Sequence, residues 1–219
     1  MQENAKSDVD DRRTTLQPSV AFVHHVSEVA YAAVVAKLSG AMSVTKHACI
    51  SGLNVLGPRA NWVCINDPVM GGNSFSQNFY NDGTATQVFS GNVSTRNNGG
   101  FCSSWLSIHP SIDLSRYDGI YIDAVALEAT TFGMMLRDNS CGANGVYFYH
   151  TFGAAPVGSP SFKRTYIPFS TMKPMWRGQF VDHKPLAKGA IIQLGLMSTK
   201  DFIVGDFELY IREIGKYKD

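Results

Sequence analysis

From about Ala60 to the C-terminus the chain is written in short apolar runs, rich in Val, Ile, Phe, Tyr and Thr, separated by clusters of Gly, Asn, Asp and Pro. Such runs predict strands, about ten of them, in a sandwich or barrel. The clearest are Thr84–Ser94, Gly100–Ile108, Gly119–Leu127, Phe132–Arg137, Gly145–Phe152, Phe162–Pro168, Ile191–Met197 and Asp206–Ile214. In the last of these Phe207, Leu209 and Ile211 alternate with Glu208, Tyr210 and Arg212, which predicts one buried and one wet face and excludes a helix. Turn chemistry lies between the runs at Asn81-Asp82-Gly83, Asn97-Asn98-Gly99-Gly100, Asp118-Gly119, Asp138-Asn139 and Lys188-Gly189. Phe89, Phe101, Ile122, Ile167, Leu194 and Phe207 are the expected core.

Residues 1–60 follow a different pattern. They are polar as far as Gln17, are punctuated by Pro18, and then turn helical in periodicity from Ser19 to Leu38. Phe22, Val26, Val29, Ala33 and Ala36 fall on one stripe, with His24, Glu28 and Tyr31 roughly opposite. This predicts an N-terminal arm over residues 1–60 with one helix at about residues 20–38, a sandwich domain over 61–215, and a short tail at 216–219. An isolated helix of that length containing several valines is marginal in water, so the stripe of Phe22, Val26 and Val29 is expected to be the principal partner-binding element. Packing of the stripe on the protein's own sandwich is the competing reading.

Composition narrows the possible partners. Hydrophobic residues make up 44% and charged residues 17%, so the chain has the means to bury a core. Nineteen basic and eighteen acidic residues leave a net charge of +1, which offers no electrostatic footprint for nucleic acid. The longest apolar run, Ala30–Ala36, is far too short to span a bilayer. Glu3, Asp8, Asp10 and Asp11 crowd a start that in an organellar leader would be basic, so a leader is expected to be absent or already removed. Cys49, Cys64, Cys102 and Cys141 show no C-x-x-C spacing and read as reduced structural thiols. The six histidines fall at no ligand spacing, and no G-x-S-x-G elbow is present. No enzyme, metal or cofactor is expected.

The segment Trp62-Val63-Cys64-Ile65-Asn66-Asp67-Pro68-Val69-Met70-Gly71-Gly72-Asn73-Ser74 resembles the opening motif of the complex I intermediate-associated protein family, in which a tryptophan precedes an N-D-x-V-M-G-G-x-S run. The resemblance continues through Val88–Ser94, Asn97–Ser103, Asp113–Ile120, Tyr166–Phe169, Arg177-Gly178, Ile192–Met197 and Gly205–Leu209. It implies an all-β, two-sheet jelly-roll sandwich of the galactose-binding-like class and no enzymatic chemistry. It further implies work as an assembly factor or accessory subunit of an energy-transducing membrane complex, either respiratory complex I or a photosynthetic thylakoid complex. The partners would be protein subunits of that complex, and the location a mitochondrion or plastid, peripheral to the inner or thylakoid membrane. Two departures stand out. Trp105 occupies a place where relatives carry an arginine, and Leu127–Thr131 replaces an expected Gly-Asp-Gly turn.

The motif residues Trp62, Asn66, Asp67, Met70, Gly71, Gly72, Asn98, Gly99, Gly100, Phe101, Arg177 and Gly178 are expected to converge on one binding or structural locus. Arg177 would close it with hydrogen bonds to Asp67 or to the glycine turns, as suits a planar five-donor group. The glycine pairs permit close approach of a ligand, but tight turns are their commoner use. Asn66 and Asp67 carry oxygens for a cation, though an Asx turn or an internal pair explains them equally well. Asp138-Asn139-Ser140 reads as a loop before it reads as a calcium ligand set, and His150 as a strand residue before a general base. Tyr147, Tyr149, Trp105 and Trp176 are the aromatics that would stack on sugars if this were a carbohydrate-binding domain, which is the rival function; ordinary packing explains them as well.

Overall fold

The computed structural model describes residues 49–142 and 145–219. The predicted helix and its stripe of Phe22, Val26 and Val29 lie outside the described residues.

The short runs pair into two seven-stranded sheets. Sheet A has the order β10 (Lys163–Pro168), β6 (Gly119–Leu127), β14 (Gly205–Lys218), β4 (Thr86–Val93), β3 (Phe75–Asn81). Two short strands join it: β1 (Cys49–Gly52) pairs with β14, and β9 (Ala155–Pro156) with β6. Sheet B has the order β12 (Gln179–Phe180), β11 (Lys173–Trp176), β8 (Tyr147–Gly153), β7 (Thr131–Asp138), β13 (Ile191–Thr199), β5 (Phe101–Ile112), β2 (Trp62–Asn66). Each strand predicted from periodicity is present. Those beyond the predicted set are mostly edge or very short strands, on which period two has little length to show itself.

The core lies between the sheets. Phe89, Ile122, Ile167, Leu194 and Phe207 are buried there, and Phe207 meets the rings of Phe89 and Phe132 at 5.0 and 6.0 Å. Phe101 does not belong to this core. The inward position at the start of β5 is taken by Cys102, and Phe101 is only half-buried. Tyr210 corrects the reading of β14 in the opposite sense. It is buried on the outer face of sheet A with Val88, Val125 and Phe162, so that face is not uniformly wet.

Both expected domain boundaries move. Cys49–Gly52 pairs in register with Gly215–Lys218, Val55 is buried, and Leu53, Leu56 and Ala60 pack against the core. Residues 49–60 are thus sandwich and not arm. At the other end β14 runs on to Lys218 and buries Tyr217, so the expected tail at residues 216–219 is mostly strand. Four residues of β1 are too few to print a period, and the C-terminal pairing exists only because β1 and β6 flank it.

Candidate functional site

Strand β2 ends at Asn66, and Asp67-Pro68-Val69-Met70 turns away from it as a single 3-10 turn with proline at its start. The turn is closed by Gly71 N–H donating to the Pro68 carbonyl, in a left-handed conformation (φ 90°) that favours glycine, and by Gly72 N–H donating to the Asp67 carbonyl. This geometry aims the Asp67 side chain inward, where it is 2% exposed. Its Oδ1 accepts the Ser74 N–H at 2.7 Å. Its Oδ2 accepts the Ser74 hydroxyl at 2.5 Å, Gly100 N–H at 2.6 Å and Phe101 N–H at 3.3 Å. Ser74 Oγ in turn accepts Ser94 N–H at 2.9 Å. One carboxylate thus ties together the 3-10 turn, the start of β3, the end of β4 and the start of β5.

The glycines follow from that carboxylate. A Cβ on Gly72 would stand 2.4 Å from Asp67 Cγ, and one on Gly99 would stand 2.5 Å from Asp67 Oδ2. Burial pushes the Asp67 carboxyl upward, but the Ser74 hydroxyl and the backbone N–H groups of Gly100, Ser74 and Phe101 overcome this, and the acid titrates below its ordinary value. Beside the knot, Asn66 Oδ1 accepts Ser76 Oγ at 2.7 Å and Ser103 N–H at 3.3 Å. The Cys102 thiol donates to the Phe75 and Asn92 carbonyls, and burial, with the Asp67 charge and Cys64 adding to it, pushes it up to about 12.

Most of the expected locus is therefore one place: Asn66, Asp67, Gly71, Gly72, Gly99, Gly100 and the Phe101 backbone, with Trp62 buried in the core at the other end of β2. Asn98 is exposed, with φ 59°, in the short turn before Gly99. Three members behave otherwise: Met70, Arg177 and Gly178. Val69 and Met70 are each 74% exposed on the outer side of the 3-10 turn. Arg177 and Gly178 are elsewhere altogether. They form the two-residue hairpin between β11 and β12, with φ 49° and 79°, at the edge of sheet B opposite to β2. The Arg177 guanidinium lies 4.6 Å from the centre of the Trp176 ring, and the donors that satisfy Asp67 are backbone amides and a hydroxyl in place of an arginine.

Two further carboxylates act in the same manner: Asp138, which the sequence reading placed in a loop, and Asp123, which it did not single out. Asp138 is buried and accepts Ser140 N–H, Ser140 Oγ and Ala187 N–H, so Asp138-Asn139-Ser140 is a loop lock. Asp123, buried on the outer side of sheet A, accepts Arg164 through Nε and Nη2 and Arg212 through Nη2, while Arg164 also reaches Glu213. The signal for that pairing was the charge-bearing parity of β6, β10 and β14, which becomes legible only once the strand order is known.

Of the aromatics weighed for sugar stacking, Trp105, Tyr147 and Tyr149 gather on the outer face of sheet B, and the rings of Trp105 and Tyr147 are covered. Trp105 is 7% exposed, with Tyr147 edge-on at 5.8 Å and the Arg137 guanidinium 4.4 Å above its face. Trp176 is exposed and carries Arg177 on its ring. His150 is a half-buried residue of β8. Among the described residues no cluster of three or more His, Cys, Asp or Glu side chains is arranged to hold a metal ion, and no helix is long and apolar enough to cross a membrane.

Two sheets closed by buried carboxylate knots define a jelly-roll-type sandwich of the galactose-binding-like class. Solved structures of that class share the fold. A family 11 carbohydrate-binding module of a cellulosomal cellulase of Clostridium thermocellum superposes with a TM-score of 0.57 at 16% identity, over 80% of this chain and 97% of that one. The same type of module in complex with a mixed-linked tetrasaccharide gives 0.57 at 17%, over 77% and 95%. Residues 56–211 match the family Complex I intermediate-associated protein 30, and the chain belongs to that family. A protein of the fission yeast Schizosaccharomyces pombe, uncharacterized protein C9E9.15, is 28% identical over 182 residues, 74% of this chain and 82% of that protein.

Proposed function

We propose that this chain is a non-enzymatic protein-binding module acting as an assembly factor or accessory subunit of respiratory complex I, peripheral to the mitochondrial inner membrane. The observation that carries this reading is the family match over residues 56–211. The site geometry supports it from another side. The Asp67 knot satisfies its own donors and acceptors internally, so the motif organises the fold and presents Val69 and Met70 outward without forming a reaction centre. The arm, with Phe22, Val26 and Val29 on one stripe, adds a second apolar contact element. A thylakoid complex as host has no support among the proteins to which this chain is similar.

The test is affinity purification of the full chain from detergent-solubilised membranes, with the co-purifying subunits identified by mass spectrometry. Enrichment of complex I subunits or assembly intermediates supports the reading; recovery of the chain without them overturns it. The carbohydrate-binding alternative rests on fold likeness alone, and the covered rings of Trp105 and Tyr147 count against it. A glycan array on the same protein decides it independently.

A further inference from the structure

Most of the large apolar side chains exposed among the described residues fall on one edge of the sandwich. Val63 and Ile65 stand outward on β2 at 52% and 45% exposure, and Phe75 and Phe79 outward on β3 at 55% and 43%. These strands are the edges of sheet B and sheet A, and Ser76 Oγ donates to Asn66 Oδ1 at 2.7 Å between them. Phe79 lies opposite Val88, which is buried on the outer face of sheet A, so Phe75, Gln77 and Phe79 share that face by period two.

A free sheet edge presents unpaired backbone N–H and C=O groups, and proteins blunt it with charge, proline, a bulge or shortness. The other edges are blunted in these ways. β10 carries Lys163 and Arg164 and ends in Pro168, β12 has two residues, and β2 stops after five at the Asp67–Met70 turn. β3 has none of these devices. It runs for seven residues with no charge and no proline, and its pairing with β4 is unbroken from Phe75 to Asn81. Among the described residues β4 is its only strand partner. The strand is also complementary to itself. Turned antiparallel about Gln77, Phe75 of one copy stands opposite Phe79 of the other, Ser76 opposite Asn78, and Gln77 opposite its own counterpart, so both aromatic pairs fall on the outer face.

We propose that β3 is a self-association edge: two copies of this chain pair β3 to β3, antiparallel, about a two-fold axis at Gln77, and so join their A sheets. The charge-free strand sets no like charges across the seam, and the same step covers the two Phe75–Phe79 pairs. Phe75 and Phe79 together expose about one whole phenylalanine side chain per copy, on the order of 150–250 Å². With the backbone of one strand added, this is the area of a small, reversible interface, below the roughly 1,200 Å² of a stable one. The dimer is therefore concentration-dependent, and it closes at two copies because the axis consumes the same edge of both. The pairing is independent of the identity of the host complex.

Sedimentation velocity of the purified full-length chain over about 1–300 μM tests this, since an interface of that size dissociates in such a range. The expected result is a reversible shift from one chain to two, with no larger species. Gln77→Lys sets two like charges face to face at the axis and should leave a single chain at every concentration, as should Gln77→Glu, while an equal mixture of the two variants should restore the dimer. That rescue separates lost pairing from lost folding. Under mild oxidation Gln77→Cys should form a disulfide between copies at position 77, at least about tenfold more than Asp82→Cys at an exposed turn, whose copies lie on the order of 30 Å apart in this register. A chain that stays single throughout, a dimer that survives Gln77→Lys, a mixture that does not reassociate, equal disulfide yields, or growth beyond two copies each overturns the proposal. Failure to capture complex I subunits from membranes would sink the functional reading and leave this result untouched.

Discussion

Substituting Asp67 measures how much of the fold depends on the knot. Asp67→Ala leaves the N–H groups of Ser74, Gly100 and Phe101 without their acceptor in a site that is 2% exposed. A hydrogen bond to a charged acceptor contributes about 1.5–3 kcal/mol, and a buried donor left unpaired costs about 1–3 kcal/mol. The 2.7 and 2.6 Å bonds from Ser74 and Gly100 carry most of this and the 3.3 Å bond from Phe101 little, so the expected loss is about 3–5 kcal/mol. Asp67→Asn keeps the shape but turns an amide NH2 toward one of the N–H donors, and should cost about 2–3 kcal/mol. The acid is held below its ordinary value of 3.8. Its ionised form therefore stabilises the native state above that value, and this contribution fades as pH falls through the lower folded-state value. Urea unfolding of wild type and Asp67→Asn at neutral pH and again near pH 3 is the assay, and the gap between the two proteins should narrow at the lower pH. A loss below about 1 kcal/mol for Asp67→Ala at neutral pH, or a gap that does not change with pH, would refute the reasoning.

Phe207→Ala, which empties a site ringed by Phe89 and Phe132, should lower stability by about 3–5 kcal/mol in the same assay, and a shift under about 1 kcal/mol would remove Phe207 from the core. Gly72→Ala drives a Cβ to 2.4 Å from Asp67 Cγ and should cost about 1–3 kcal/mol by overpacking, partly relieved in an Asp67→Ala background, where only the 2.9 Å approach to the residue 67 Cβ remains; equal costs in both backgrounds would break the link between the glycine and the acid. Deleting residues 1–48 should leave a folded sandwich, whereas deleting 1–58 removes β1 and buried Val55 and should lower the melting temperature well below that of the shorter deletion; equal melting temperatures would return residues 49–58 to the arm. Arg177→Ala, at an exposed hairpin remote from Asp67, should stay within about 0.5 kcal/mol of wild type.

The strands and the inner core were legible because period two survives wherever one face is buried and the other is not, as at Phe207, Leu209 and Ile211. Tyr210 and Phe101 were misread for one physical reason. Alternation says which residues share a face but not which face a neighbouring segment covers, and Tyr210 is roofed by Phe162 while Cys102 takes the inward place beside Phe101. The convergence of Asp67 with the two glycine turns was legible only through the family resemblance, which gathers motif residues dispersed along the chain at one locus. Arg177 was not, because its position depends on strand order. Both termini of the sandwich were missed for the same reason: the pairing of β1 with β14 joins residues at opposite ends of the chain, each with too little pattern to announce it.

The spacing of the family motif can be derived from one buried oxygen pair. Asp67 must lie where a 3-10 turn delivers it inward; Gly71 must take φ 90° to close that turn; and Gly72 must lack a side chain because Asp67 occupies the space. Ser74 must present both N–H and hydroxyl to the carboxylate, and the second glycine pair must bring Gly100 N–H to Oδ2 with no Cβ on Gly99. Each inward-facing residue has a folding reason in this chain. Val69 and Met70 have none there: at 74% exposure their apolar side chains satisfy no packing need of the described residues. The motif therefore divides by direction. Its inward half builds the fold, and its outward half, Val69 and Met70, is the part turned to solvent.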